Sequence, residues 1–165
     1  ATNMSSLRFT AIVLLAASLL ARAPAMAAPT TFDPVIGSAL LCLDHVENRY
    51  FQSWLTTAFG PAYKREGGAL WFKAEGNLWG ANVTDIVISD DTSAVVFVGA
   101  LLDSTPEELE AAVRKNSGIA HVVTDRSRFP VRQSKPGSRI VFNRDKSKIY
   151  CARYKPVPTG KALRP

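Results

Sequence analysis

Ala94-Val-Val-Phe-Val-Gly-Ala-Leu-Leu102, followed directly by Asp103-Ser-Thr-Pro-Glu-Glu-Leu-Glu-Ala-Ala-Val-Arg-Lys-Asn-Ser-Gly118, is the stretch that decides the fold. The first nine residues carry no charge and are rich in β-branched side chains, as expected of a strand at the centre of a sheet. The period then changes. Thr105 stands where an N-cap is needed, Pro106 at the first helical position, and Glu108 three residues after the cap, the spacing of a capping box. Leu109, Ala112 and Val113 form the buried stripe. Acidic residues crowd the start of this helix and Arg114 and Lys115 its end, as the macrodipole favours. Asn116-Ser-Gly118 stops it.

On either side of this unit the pattern is mostly strands. Residues 62–80 read as a hairpin, with aromatic residues of Ala69 to Trp79 either side of a turn at Glu75-Gly-Asn77, and Val83 to Ser89 as the next strand, followed by a polar turn at Asp90-Asp-Thr-Ser93. Ile119 to Val123 reads as a short strand and Asp125 to Gly137 as a polar loop. Arg139 to Phe142 and Ile149 to Tyr154 make a second hairpin around Asn143 to Lys148. In its last strand, alternation sends Tyr150, Ala152 and Tyr154 to one face and Ile149, Cys151 and Arg153 to the other. Upstream, residues 28–37 read as an extended lead-in. Ser38 then caps a helix whose apolar stripe runs through Leu40, Leu43, Val46, Tyr50, Trp54 and Ala58 before Gly60-Pro61 ends it. These elements predict an α+β fold: a mostly antiparallel sheet of about five to seven strands, packed by two helices.

The N-terminal residues predict an address. Arg8 stands in a short positive segment, Ala11 to Ala21 is uncharged and apolar, and Ala23-Pro-Ala-Met-Ala-Ala-Pro29 offers an Ala-x-Ala site. This is the pattern of a secretory signal peptide, with cleavage expected after Ala27. Phe9 to Ala21 is thirteen residues, short of the roughly 20 a membrane-spanning helix needs, so no stable membrane insertion is expected after cleavage. The expected organisation is a signal peptide at 1–27, one domain at 28–154 and a flexible basic tail at 155–165. The expected location is periplasmic or secreted. Two cysteines, Cys42 and Cys151, remain in an oxidising compartment and predict one disulfide. It would tie the first helix to the last strand.

Charge is unevenly distributed. Residues 28–113 carry 4 Lys/Arg against 12 Asp/Glu, and residues 114–165 carry 14 against 2. Either a basic face attracts an anionic partner, or the two parts interleave and cancel. Arg126, Arg128, Arg132, Lys135, Arg139, Arg144, Lys146 and Lys148 are the candidate polyanion-binding residues. Trp71 and Trp79 are either a cross-strand pair or an exposed recognition patch.

Catalytic signals are sparse. His45 and His121 are the two histidines, and neither lies in a metal-ligand spacing. No GxSxG elbow marks a serine nucleophile, and the glycines lack the spacing of a phosphate loop. If the chain is an enzyme, His45, His121 and Lys73 supply the parts for acid–base work on a phosphodiester. No cofactor or metal is called for by any motif. The expectation is an exported soluble binding protein, in one form an inhibitor of another envelope or secreted protein. Its expected partner is a protein or an anionic envelope polymer, not genomic nucleic acid. A small hydrolase of an anionic polymer and a structural envelope component are the alternatives. Nothing in the sequence sets the oligomeric state.

Overall fold

The structure, a computed structural model, describes residues 27–45 and 47–155. The expected signal peptide, apart from Ala27, and the expected tail, apart from Lys155, lie outside the described residues. Among the described residues, eight strands form one antiparallel sheet: β1 (Lys64–Glu66), β2 (Ala69–Leu78), β3 (Ala81–Ser89), β4 (Val95–Leu102), β5 (His121–Val123), β6 (Arg132–Ser134), β7 (Arg139–Asn143) and β8 (Lys146–Tyr154). Their order across the sheet is β1-β2-β3-β4-β8-β7-β6-β5. Two four-strand meanders therefore meet at β4 and β8. The apolar strand that led the sequence reading lies at the centre, as expected. The expected strand count was too low, because β1 and β6 are only three residues long and carry no apolar period.

The helices lie on one face. A π-helical turn, Asp33–Gly37, runs directly into α1 (Ser38–Leu40), and α2 covers Asn48–Phe59. This corrects the reading of residues 28–37 as extended and of residues 38–59 as one helix. Ser38 is inside a helical run and is not an N-cap. The helix stops because Cys42 turns into the left-handed region, φ 59°, where a non-glycine residue cannot continue a right-handed ladder. Residues 43–45 and 47 then connect without helix, leaving Leu43 exposed rather than on an apolar stripe. In α2, Phe51 and Leu55 are buried, while Tyr50 is half exposed. Trp54 packs against the core, with its ring 6.3 Å from that of Phe32.

The helix within the opening stretch, α3 (Pro106–Ser117), forms as read. The Thr105 side chain accepts from the Glu108 N–H, the Glu108 carboxylate accepts from the Thr105 N–H, and Gly118 closes the end at φ 75°. Helix α1 packs on β4 and β8, α2 on β2 and β3, and α3 on β7 and β8. Between them and the sheet lies the core: Ile36, Leu40, Leu55, Phe72, Ile86, Ile88, Leu102, Leu109, Ile140 and Ile149 are all fully buried. The Cys42–Cys151 disulfide is present, with Cα atoms 5.3 Å apart. It staples the end of α1 to β8 on this packed face. No helix among the described residues is long and apolar enough to cross a membrane.

The turns are tighter than the sequence suggested. Strands β2 and β3 turn at Trp79-Gly80, both at positive φ (55° and 89°), and not at Glu75-Gly-Asn77. Gly76 instead lies within β2, where a bulge shifts the register between Lys73 and Gly76. A Cβ there would stand 2.8 Å from the Phe32 ring, so glycine lets the N-terminal segment close onto the strand. Strands β7 and β8 turn at Arg144-Asp145, with Arg144 at φ 60°.

Candidate functional site

The other face of the sheet carries no helix among the described residues. Strand alternation decides what stands on it. One register row crosses all eight strands: Lys64, Trp71, Val87, Gly99, Tyr150, Arg139, Gln133 and Val122. A neighbouring row runs Lys73, Asp85, Leu101, Lys148 and Val141. Val87 is 1% exposed although it lies on this uncovered side. Its Cγ1 fills the notch left by Gly99, 3.0 Å from where a Cβ would be, and the Tyr150 Cβ closes the other side at 3.4 Å. The face is therefore built as a packed floor with polar and aromatic groups above it.

Between the strands β1 to β4 and the β7–β8 turn is a cleft of about 320 Å³ bordered by Tyr63, Trp71, Lys73, Asp85, Arg144 and Asp145. Asp85 organises it. Its Oδ1 accepts from the Tyr63 hydroxyl at 2.8 Å and from Lys73 Nζ at 2.6 Å, and its Oδ2 accepts from Thr84 Oγ1 at 2.8 Å. Burial pushes the Asp85 carboxyl upward, but the hydrogen bonds from Lys73, Thr84 and Tyr63 outweigh it and hold the group below the ordinary aspartate range. Tyr63 is affected oppositely: burial, then its bond to the Asp85 carboxylate, pushes its hydroxyl up to about 12. The phenol stays protonated and the carboxylate ionised. Lys73 Nζ also lies 4.9 Å from the Tyr63 ring, and Lys64 Nζ 5.6 Å from the Trp71 ring, both within cation–π range.

The cations here divide into two kinds. Lys73 is compensated by Asp85, Lys146 by Asp103 at 2.6 Å, and Lys64 by Glu66. Arg139, Arg144 and Lys148 make no ion pair among the described residues. Lys148 stands between Leu101 and Val141 with its ammonium 5.4 Å from the Tyr150 ring, and burial pulls its pKa below the ordinary lysine value. Arg139 and Lys148 are diagonal neighbours across the β7–β8 ladder, a relation that sets backbones about 7–8 Å apart.

The remaining basic candidates are elsewhere. Arg126 and Arg128 are exposed in the loop between β5 and β6, and Lys135 is exposed in the next turn. Arg132 is paired with Glu107. The eight candidates thus do not make one patch; part of the basic third cancels the acidic part and part does not. Trp71 lies on the open face, whereas Trp79 is in the β2–β3 turn, packed against the core. They are not a cross-strand pair.

The three candidate catalytic residues are not brought together. His45 lies exposed in the connection after α1. His121 is 4% exposed on β5, its Nε2 paired at 3.1 Å with the hydroxyl of fully buried Ser138. Lys73 is on β2, six strand steps from β5, or roughly 25–30 Å. Among the described residues, no group of three or more His, Cys, Asp or Glu side chains is placed to hold a metal.

Tyr63, Lys64 and Asp85 belong to no sequence motif. Asp85 did leave a signal: it is the only charged residue in the apolar run Val83 to Ser89. No family model, curated protein or solved structure matches the chain.

Proposed function

We propose that this chain is an exported, periplasmic or secreted binding protein whose open sheet face takes an anionic polymer. The observation that carries the reading is that, among the described residues, Arg139 and Lys148 stand without ion pairs on a sheet face that no helix covers, next to Tyr150, with Arg144 in the β7–β8 turn that borders the cleft holding Trp71. Cations that already have carboxylate partners gain little from a further anion. Unpaired ones gain the full interaction, and a half-buried lysine gains more because its charge is poorly solvated. The signal-peptide pattern at the N-terminus supports a partner outside the cytoplasm.

The test is a titration with linear polyanions across a salt series. Binding should weaken steeply with salt, and each of Arg139→Gln, Lys148→Gln and Arg144→Asn should lower the slope of log K against log salt by about one. Absence of binding to every polyanion, or binding independent of salt, would overturn the proposal.

A further inference from the structure

Resting on that reading, we infer that the polymer is an acidic polysaccharide and that the Trp71–Tyr63 cleft is the subsite for one sugar unit. The cleft and the unpaired cations adjoin but differ in chemistry. Within the cleft, Lys73 is neutralised by Asp85, and the bordering Lys64 by Glu66. A group seated there meets fixed hydrogen-bond donors and acceptors and aromatic walls, but little net charge. Sugar hydroxyls, which both donate and accept, suit such a lining, and the C–H faces of a pyranose suit Trp71 and Tyr63. Arg144 stands at the cleft's border next to the carboxylate of Asp145, and Lys148 and Arg139, without ion pairs among the described residues, extend the basic groups along β8 and β7. A ligand must therefore present a hydroxylated ring and an anionic group repeatedly, side by side.

Asp85 acts as a positioning residue. Both its oxygens are occupied, and it holds Tyr63 and Lys73 at the wall.

Calorimetry of the folded protein with polygalacturonate, dextran sulfate, neutral dextran, inorganic polyphosphate and single-stranded oligonucleotide tests this assignment. At least one of the two acidic polysaccharides should bind. Its affinity should fall tenfold or more in Trp71→Ala and in Arg144→Asn, the latter suited to the left-handed turn, and should be unchanged in Lys135→Ala. Trp71→Phe, which keeps an aromatic wall, should lose less than Trp71→Ala; circular dichroism confirms that each variant is folded. Polyphosphate should show salt-dependent binding indifferent to Trp71, and neutral dextran none. If both polysaccharides bind no better than polyphosphate and are equally indifferent to Trp71, the sugar subsite is wrong while the charged-face proposal stands. Trp71-dependent binding of the oligonucleotide tighter than either polysaccharide would also overturn it. Failure of every polyanion to bind removes both.

Discussion

Gly99 faces Tyr150 across the β4–β8 ladder, where the two meanders join, and Val87 leans into the space a larger residue at position 99 would occupy. The contact couples three strands on the face that no helix among the described residues covers. Filling the notch must displace either Val87 or Tyr150, because a 3.0 Å approach leaves no room for a further methyl group.

Gly99→Val is accordingly expected to destabilise the fold by about 1–3 kcal/mol, the usual cost of overpacking. Urea denaturation of the variant reads this directly. Val87→Ala in the same chain should recover part of the loss, since the two changes share one volume. Additive losses in the double variant would show that Val87 is not the residue displaced.

The disulfide joins two residues 109 positions apart in the sequence. Replacing Cys42 and Cys151 by serine should cost up to about 4–5 kcal/mol on the chain-entropy account. Thermal melts with and without reductant should show the same difference in the parent chain and none in the double variant. Equal melting of oxidised and reduced parent would refute the claim.

His121 gives the stability a pH dependence of predictable sign. Burial lowers its pKa from the ordinary 6.5, against the opposing pull of Glu110, and Nδ1 has no hydrogen-bond partner among the described residues. Below about 6.5 the unfolded chain takes up a proton that the folded chain refuses, so stability falls as pH falls. The slope contributed by this one group is at most about 1.4 kcal/mol per pH unit, and it levels off below the folded pKa. His121→Gln should flatten that part of the profile between pH 7 and 5. A profile unaltered by the substitution would assign the dependence to other groups.

Tyr63 offers a spectroscopic readout of the cleft. With its hydroxyl pushed up to about 12, it should remain protonated when ordinary tyrosines near 10 have ionised. Asp85→Asn removes the charged acceptor, and the Tyr63 titration, assigned by difference from Tyr63→Phe, should move down. Burial still acts, so it should not return fully to 10. An unchanged titration would mean that Asp85 does not hold the phenol.

The sequence by itself determined the local units. It marked α3 by its caps, β4 by its uncharged run and the covalent link between Cys42 and Cys151. These signals are carried by residues within one turn or one strand, or by a pair that has no other partner. It misread the segment from Asp33 to Phe59, because helical periodicity continues across Cys42 while the disulfide and the packing of α1 over β4 and β8 require the chain to turn there. It also read β6 as loop and placed the turn of the 62–80 hairpin at Glu75-Gly-Asn77 rather than between β1 and β2, because the three residues each of β1 and β6 become strands through pairing rather than propensity.

Site formation was a tertiary matter throughout. The fourteen basic residues of the C-terminal part were visible as a count. Which of them remain uncompensated depended on Glu107 and Asp103 reaching Arg132 and Lys146 from elsewhere in the chain. Lys73 and His121, plausible partners on paper, are held apart by the breadth of the sheet. Tyr63 and Asp85, 22 residues apart, are brought into contact by the same antiparallel pairing that carries Lys73 to Asp85. Local propensity names the elements of this protein; strand register decides which charges meet and which are left free to bind.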